Sequence, residues 1–267
     1  MENAWQDFGQ QVSLTSRIRE LLLNYPEGTS IFKELIQNAD DARATTISLC
    51  LDMRHHGTAS LAFQELEPFQ GPALLVFNDA TFSEADFDSI RHIGDSVKRG
   101  QVAKTGRYGL GFTSCYHLTE IPTFVSGKYL CMFDPAAKFL PGASAGNPGK
   151  RIDFVSAKFS STFPDSASTL KAFGCDMEHP FNGTLFRFAL RTEEMAAVSG
   201  ISKQVYAPQR LHELLKDLQT EAHLILLFLK SVESINVCKW HPGQEKVSRT
   251  SYICIILYRI VLVISIN

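Results

Sequence analysis

The chain has 267 residues, with 45% hydrophobic residues and 26 Lys and Arg against 28 Asp and Glu, a length that suits one substantial α/β domain and a tail better than two domains. Its formal net charge of −2 offers no basic field for nucleic acid or an anionic membrane surface, so neither partner is expected. The six cysteines (Cys50, Cys115, Cys131, Cys175, Cys238, Cys254) form no C-x-x-C pair and no His-containing metal spacing, and polar Met1–Gln10 lacks an apolar signal core, so reduced buried thiols in the cytoplasm are expected.

Leu14, Ile18, Leu21 and Leu22 form a helical stripe over Ser13–Tyr25, which Pro26-Glu27-Gly28 stops. A second helix follows, capped by Thr29 or Ser30, with Ile31, Phe32, Leu35, Ile36 and Ala39 as its apolar face. Thr45–Asp52 is β-branched and alternating, a predicted strand. His55-His56 falls in a polar loop, where solvent exposure is expected. Ala73–Phe77 reads as a buried strand running into a polar Asn78-Asp79 loop, and Ser83-Glu84-Ala85-Asp86 as a capping box opening a helix with Phe87 and Ile90.

The Gly100–Gly111 loop leads into a helical stretch at Phe112–His117, and Thr123–Val125 and Tyr129–Phe133 flank a Ser126-Gly127 hairpin. Phe139–Gly149 is predicted loop, Thr184–Leu190 a strand, Arg210–Lys230 a long helix and Ser234–Trp240 a further strand. Ser251–Asn267 is apolar but interrupted by Arg259, shorter than the roughly 18 apolar residues a membrane helix needs, and reads as a strand. The boundaries are 1–242 for the domain and 243–267 for an apolar tail.

Two patterns point to chemistry. Glu34, Asn38 and Asp41 stand at i, i+4 and i+7, a polar face distinct from the apolar one. Taken alone, such a triplet is more commonly an ordinary solvated face, but Asn is a poor mid-helix residue and Asp40-Asp41 opposes the dipole at a helix C-terminus. Gly106, Gly109 and Gly111 then precede Phe112, so that backbone N–H groups could approach an anion; alone, the spacing fits an ordinary turn as readily, and it lacks the Gly-Lys-Ser/Thr of a Walker loop. Ser114 and His117 lie among apolar neighbours and read as core packing rather than a nucleophile and base.

Glu34–Ala42 resembles the Asn-bearing helix of the gyrase, heat-shock chaperone, histidine kinase and MutL superfamily. Asp79 resembles its adenine-reading Asp after a strand, Gly106–Phe112 its glycine loop, and Asn182-Gly183-Thr184 its late Gly-Thr. Within that superfamily, Asp7-Phe8-Gly9-Gln10, Ile93-Gly94-Asp95-Ser96 and Val125-Ser126-Gly127-Lys128-Tyr129 resemble the sacsin-like proteins, plant members included. The resemblance implies a Bergerat-type α/β (α+β) two-layer sandwich over 1–242, with a mixed, mostly antiparallel sheet and helices on one face.

It also implies ATP and Mg²⁺ as cofactors and slow hydrolysis, a weak ATPase in a chaperone or co-chaperone-like protein whose partners are clients or other chaperones. Asn38 would bind Mg²⁺, Glu34 would be the catalytic base, Asp79 would read adenine supported by Thr184, and Gly106, Gly109, Gly111 and Phe112 would hold the phosphates. Asp41 completes the nucleotide-binding set. The chain departs from the family where Ala80-Thr81-Phe82-Ser83 replaces the glycines after the adenine-reading Asp. The alternative is an interaction module that keeps the fold without turnover.

Overall fold

The computed structural model describes residues 12–24, 27–91 and 111–244, together with the backbone of 253–256. Helix α1 (Leu14–Asn24) and helix α2 (Ser30–Asp41) come first, and the predicted stripes are their buried faces. Thr29 stands at the N-cap of α2 but its side chain makes no capping bond. The helix ends at Ala42, and Arg43 follows in the left-handed region at φ 63°, the usual geometry of a C-terminal reversal.

The strands are β1 (Thr46–Asp52), β2 (Ala73–Asn78), β3 (Thr123–Gly127), β4 (Tyr129–Phe133), β5 (Gly149–Asp153), β6 (Phe181–Ala189), β7 (Ser234–Trp240) and β8 (Ile253–Ile256). Among the described residues they form one sheet in the order β5-β4-β3-β6-β2-β1-β7-β8. β1 and β7 pair in parallel and every other neighbour is antiparallel. The result is the expected α/β two-layer architecture on a mixed, mostly antiparallel sheet. The hairpin, β7 and the capping box fall where the sequence places them; Ser83 and Asp86 cap each other's backbone N–H groups at the start of helix α3 (Glu84–Ile90). The tail contributes β8 on the β7 edge.

Alternation along the strands divides the core. Ile47, Leu49 and Leu51 of β1, Leu74 and Val76 of β2, and Phe186 and Phe188 of β6 face α1, α2 and helix α7 (Pro208–Leu226). Cys50, Leu75, Val125, Leu185 and Trp240 face the other way, where a second core lies under a 3-10 turn (Gln64–Gln70) and three short helices, α4 (Phe159–Thr162), α5 (Pro164–Ser168) and α6 (Glu193–Val198). The long helices therefore sit on one face, and the opposite face is covered by pieces too short to carry a periodic signal. Cys50, Cys115, Cys131, Cys175 and Cys238 are free and buried. Among the described residues no helix is long and apolar enough to cross a membrane.

Two buried charges tie these layers together. Asp40 accepts backbone N–H bonds from Lys230, Ser231 and Val232 (2.6–3.0 Å), fastening the end of α2 to the segment between α7 and β7. That is the use of Asp40 at this helix end. Arg191, fully buried, donates to Glu120 (2.5 Å) and to the carbonyls of Tyr116 (2.6 Å), His117 (2.7 Å) and Thr119 (3.2 Å), while Ser199 donates to Glu120 at 2.7 Å.

His56 corrects the expectation of an exposed pair. His55 is exposed, but the His56 side chain is only 6% exposed, with Nδ1 2.9 Å from Ser168 Oγ. Burial holds its pKa below the ordinary imidazole value, against the pull of nearby Asp52.

Removing one partner of a buried ion pair costs about 3–5 kcal/mol, whereas removing both costs less than the sum. Arg191→Leu is therefore expected to lower the urea midpoint strongly, and Arg191→Leu with Glu120→Leu to be less destabilised than the two single changes added. Additive losses would show that the pair is not one energetic unit.

Candidate functional site

Between α2, α3 and the sheet lies a partly open cleft with about 60 Å³ of enclosed space. α2 contributes Leu35, Asn38, Ala39 and, just past its end, Ala42; β2 contributes Val76 and Asn78; α3 contributes Asp86, Ser89 and Ile90. Phe82, Phe112 and Phe186 complete an aromatic wall, with Phe112 and Phe82 ring centroids 5.7 Å and 6.2 Å from Phe186. The lining is mainly apolar, with four convergent polar side chains.

Asn38 and Phe112, both singled out in the sequence, line this cleft. Glu34 lies one turn before Asn38, half-buried, and its carboxylate packs so closely on Gly111 that a Cβ at position 111 would overlap it. Gly111 has an ordinary helical φ of −63°, so backbone freedom is not what favours glycine there; a Cβ would need the end of the Glu34 side chain to swing aside. Burial raises the Glu34 pKa above the usual carboxylate value. Ser114 donates to the Gly111 carbonyl at 2.7 Å and opens the buried 3-10 turn Phe112–His117, the packing role expected of it. Asp41 is half-buried at the end of α2 and is not among the lining residues. Gly106 and Gly109 lie outside the described residues.

Asp79 is not in the cleft. Its carboxylate accepts from Thr45 N (2.8 Å), Thr46 N (3.0 Å) and Thr45 Oγ1, across the entrance to β1. Asn78 lines the cleft instead, at 5% exposure. The cause is strand parity: β2 runs one residue further than the apolar run suggests, and Asn78 shares the face of Leu74 and Val76 while its neighbour faces away. That alternation was the signal that could have found Asn78.

Thr184 stands opposite Asn78 in the β2–β6 register, and Ser126 opposite Thr184 in the β3–β6 register. These three polar residues form a row across neighbouring strands. Thr184 donates to Ala80 O (2.7 Å), Ser126 Oγ accepts from Phe82 N (2.8 Å) and lies 2.9 Å from Thr184 Oγ1, and Asn78 Oδ1 accepts from Ala80 N (3.1 Å). The turn after β2 is thus held without glycines of its own. Gly183 makes the row possible: at φ 144°, a Cβ there would sit 2.8 Å from the Asn78 carbonyl.

Burial of Asp79 would raise its pKa, but the Thr45 hydroxyl and the Thr45 and Thr46 N–H groups outweigh it and the net shift is downward. A depressed folded pKa gives stability that is present above the unfolded carboxylate value and lost as pH falls through the folded value. Asp79→Ala is expected to lower stability by about 1 kcal/mol at pH 7, the scale of an exposed hydrogen-bonded group. Urea titrations at pH 7 and pH 3 should show that difference shrink on acidification; a constant difference would contradict the assigned contacts.

The profile of the family described as the Sacsin domain matches residues 11–252. Over 234 residues the chain is 40% identical to Sacsin of Homo sapiens, an alignment covering 87% of this chain and 5% of that protein. The chain thus spans a small fraction of its relative's length. The matched region takes in every described part of the cleft, and on that profile match the chain belongs to the sacsin domain family.

Proposed function

We propose that the cleft binds a magnesium nucleotide, ATP in the first instance, and hydrolyses it slowly, as a Bergerat-type module of the gyrase and heat-shock chaperone superfamily working in a cytoplasmic chaperone-like protein on client proteins or with other chaperones. The observation that carries this reading is the meeting of Asn38 and Phe112 in one cleft, with Glu34 packed on Gly111 one turn away.

The donor set fits the ion. Mg²⁺ takes hard oxygen ligands and few protein contacts, and Asn38 presents a neutral carboxamide at the half-buried rim. When bound, Mg²⁺ would supply charge neutralisation at the phosphates. Glu34, beside Asn38 and with its pKa raised by burial, is placed to take a proton from an attacking water, since a base works best with a pKa nearer the working pH. The start of the 3-10 turn at Phe112 and the backbone at Gly111 would face the phosphates, and the aromatic wall would take the base by stacking.

A second reading is favoured by one observation: no β2 carboxylate faces the cleft, and most of its lining is apolar. An interaction module with no turnover accommodates that as well. Two substitutions separate the readings. Asn38→Ala should abolish Mg²⁺-dependent ATP binding by calorimetry while leaving the fold intact, because the core face of α2 is untouched. Glu34→Gln should keep ATP affinity within a few-fold and cut single-turnover hydrolysis by about 10²-fold, the scale of a positioned general base. Wild type that binds without hydrolysing supports the interaction module, and wild type that binds no nucleotide removes the site.

A further inference from the structure

We propose that His56 is a proton-operated latch: as a neutral ring it fastens helix α5 to the sheet through Ser168, and on taking a proton it is drawn to Asp52 and lets α5 go.

The hydrogen bonds fix the tautomer of the neutral ring. The Ser168 hydroxyl gives its hydrogen to the Asp165 carbonyl at 2.7 Å, so towards His56 Nδ1, 2.9 Å away, its oxygen accepts. Nδ1 therefore carries the ring hydrogen and Nε2 is left as an acceptor. That nitrogen is enclosed without a hydrogen bond, 3.7 Å from Asp52 Oδ2, an acceptor facing an acceptor. A proton added at Nε2 turns this unmatched contact into an attractive one.

Closing that contact opens the other. At 3.7 Å the ring stands beyond hydrogen-bond reach of Asp52, and its two nitrogens point away from each other on one rigid frame. An approach of Nε2 to the carboxylate therefore withdraws Nδ1 from Ser168. Asp52 is already held by Arg54, whose backbone N and Nε bond Oδ1 at 3.0 and 2.8 Å and whose Nη2 bonds Oδ2 at 2.8 Å. Asp52 favours the charged ring, and Asp165 of α5 is sensitive to its charge; Arg54, buried Arg187 of β6 and the burial of the ring itself oppose it. The balance keeps His56 neutral to a lower pH than an exposed imidazole.

α5 is built to respond. Pro164–Ser168 has five residues, no side-chain cap bond, and only Ser166 and Ala167 buried. Besides His56, side-chain bonds sew it to the 58–62 segment: Ser60 N donates to Asp165 Oδ2 at 2.8 Å, Asp165 N to Ser60 Oγ at 3.1 Å, and Ala62 N to Ser166 Oγ at 3.0 Å. A short segment held by a few such bonds opens at low free energy, so one bond more or less changes how often it does. Because the folded value of the ring lies below its unfolded one, the latch is complete above the ordinary imidazole value and is lost as pH falls through the folded value.

The test follows the full chain by ¹⁵N NMR of its histidine rings and by hydrogen exchange of peptides covering 163–170, above and below the His56 midpoint. The neutral ring is expected as the Nδ1–H tautomer. Below the midpoint, protection of 163–170, corrected for the intrinsic exchange rate, should fall by about fivefold or more, the scale of one lost hydrogen bond, while α2 and β1 keep theirs. His56→Asn retains an amide donor for Ser168 and takes no proton, so its protection should not depend on pH over the same range. Ser168→Ala, which removes only the acceptor, should leave 163–170 poorly protected throughout. A neutral ring protonated at Nε2, wild-type protection unchanged across the midpoint, or the same fall in His56→Asn overturns the latch. So does a His56 that takes no proton before the chain unfolds.

Discussion

Arg191 is the buried cation on which the arrangement turns. Its side chain gathers the carbonyls at the end of the 3-10 turn, its backbone N–H bonds Leu118 O at 2.8 Å, and its own carbonyl accepts from Tyr206 at 2.9 Å. Arg191, two residues past β6, therefore fixes the turn that begins at Phe112 and the segment that leads into α7. A guanidinium suits this position because its planar donors can reach several carbonyls and a carboxylate at once, where an ammonium would leave most of them unmet. The pair with Glu120 compensates charge in a place water does not reach, so its contribution is chiefly to where Phe112 and Gly111 stand.

The sheet edge of the cleft obeys a different constraint. Three polar residues in one row, Asn78, Thr184 and Ser126, are buried on a face otherwise made of leucine, valine and phenylalanine. Buried polar groups persist when they are hydrogen-bonded, and here the hydroxyls satisfy the backbone of the turn after β2. That turn needs no glycine because it is supported from the neighbouring strands. The Gly requirement has moved to Gly183, where β6 closes on the Asn78 carbonyl.

Much of the fold was legible because its signals are periodic. The stripes of α1 and α2, the alternation of β1 and β7, and the capping box at Ser83 each express a local rule that the tertiary structure respects. β5 was not legible: Gly149–Asp153 pairs with β4 through backbone bonds, and its central Lys150, Arg151 and Ile152 are exposed, so no buried face marks it. The second core was hidden because α4 and α5 run only four and five residues. His56 looked like a solvated loop residue, and only the fold shows that α5 brings Ser168 against it. Asn38 and Phe112, singled out in the sequence, both line the cleft, and Glu34 lies one turn before Asn38. Asp79 stands one residue past β2 and bonds Thr45 and Thr46, and residue type alone gave no sign of this, because at a strand end one residue changes the face.

α2 carries all of these demands on one cylinder. Its apolar side sits in the core, Lys33 meets Glu221 of α7 at 2.6 Å, Asp40 anchors its last turn, and Glu34 and Asn38 are left towards the cleft. The anchor bears on the candidate site as well as on the fold. The axial position of α2 sets how Glu34 meets Gly111. A shift of the helix along its axis would carry Glu34 and Asn38 with it, away from Gly111 and the cleft wall they now meet. Asp40, which does not line the cleft, thus holds the geometry of residues that do, by fixing the helix from its far end against the segment that follows α7.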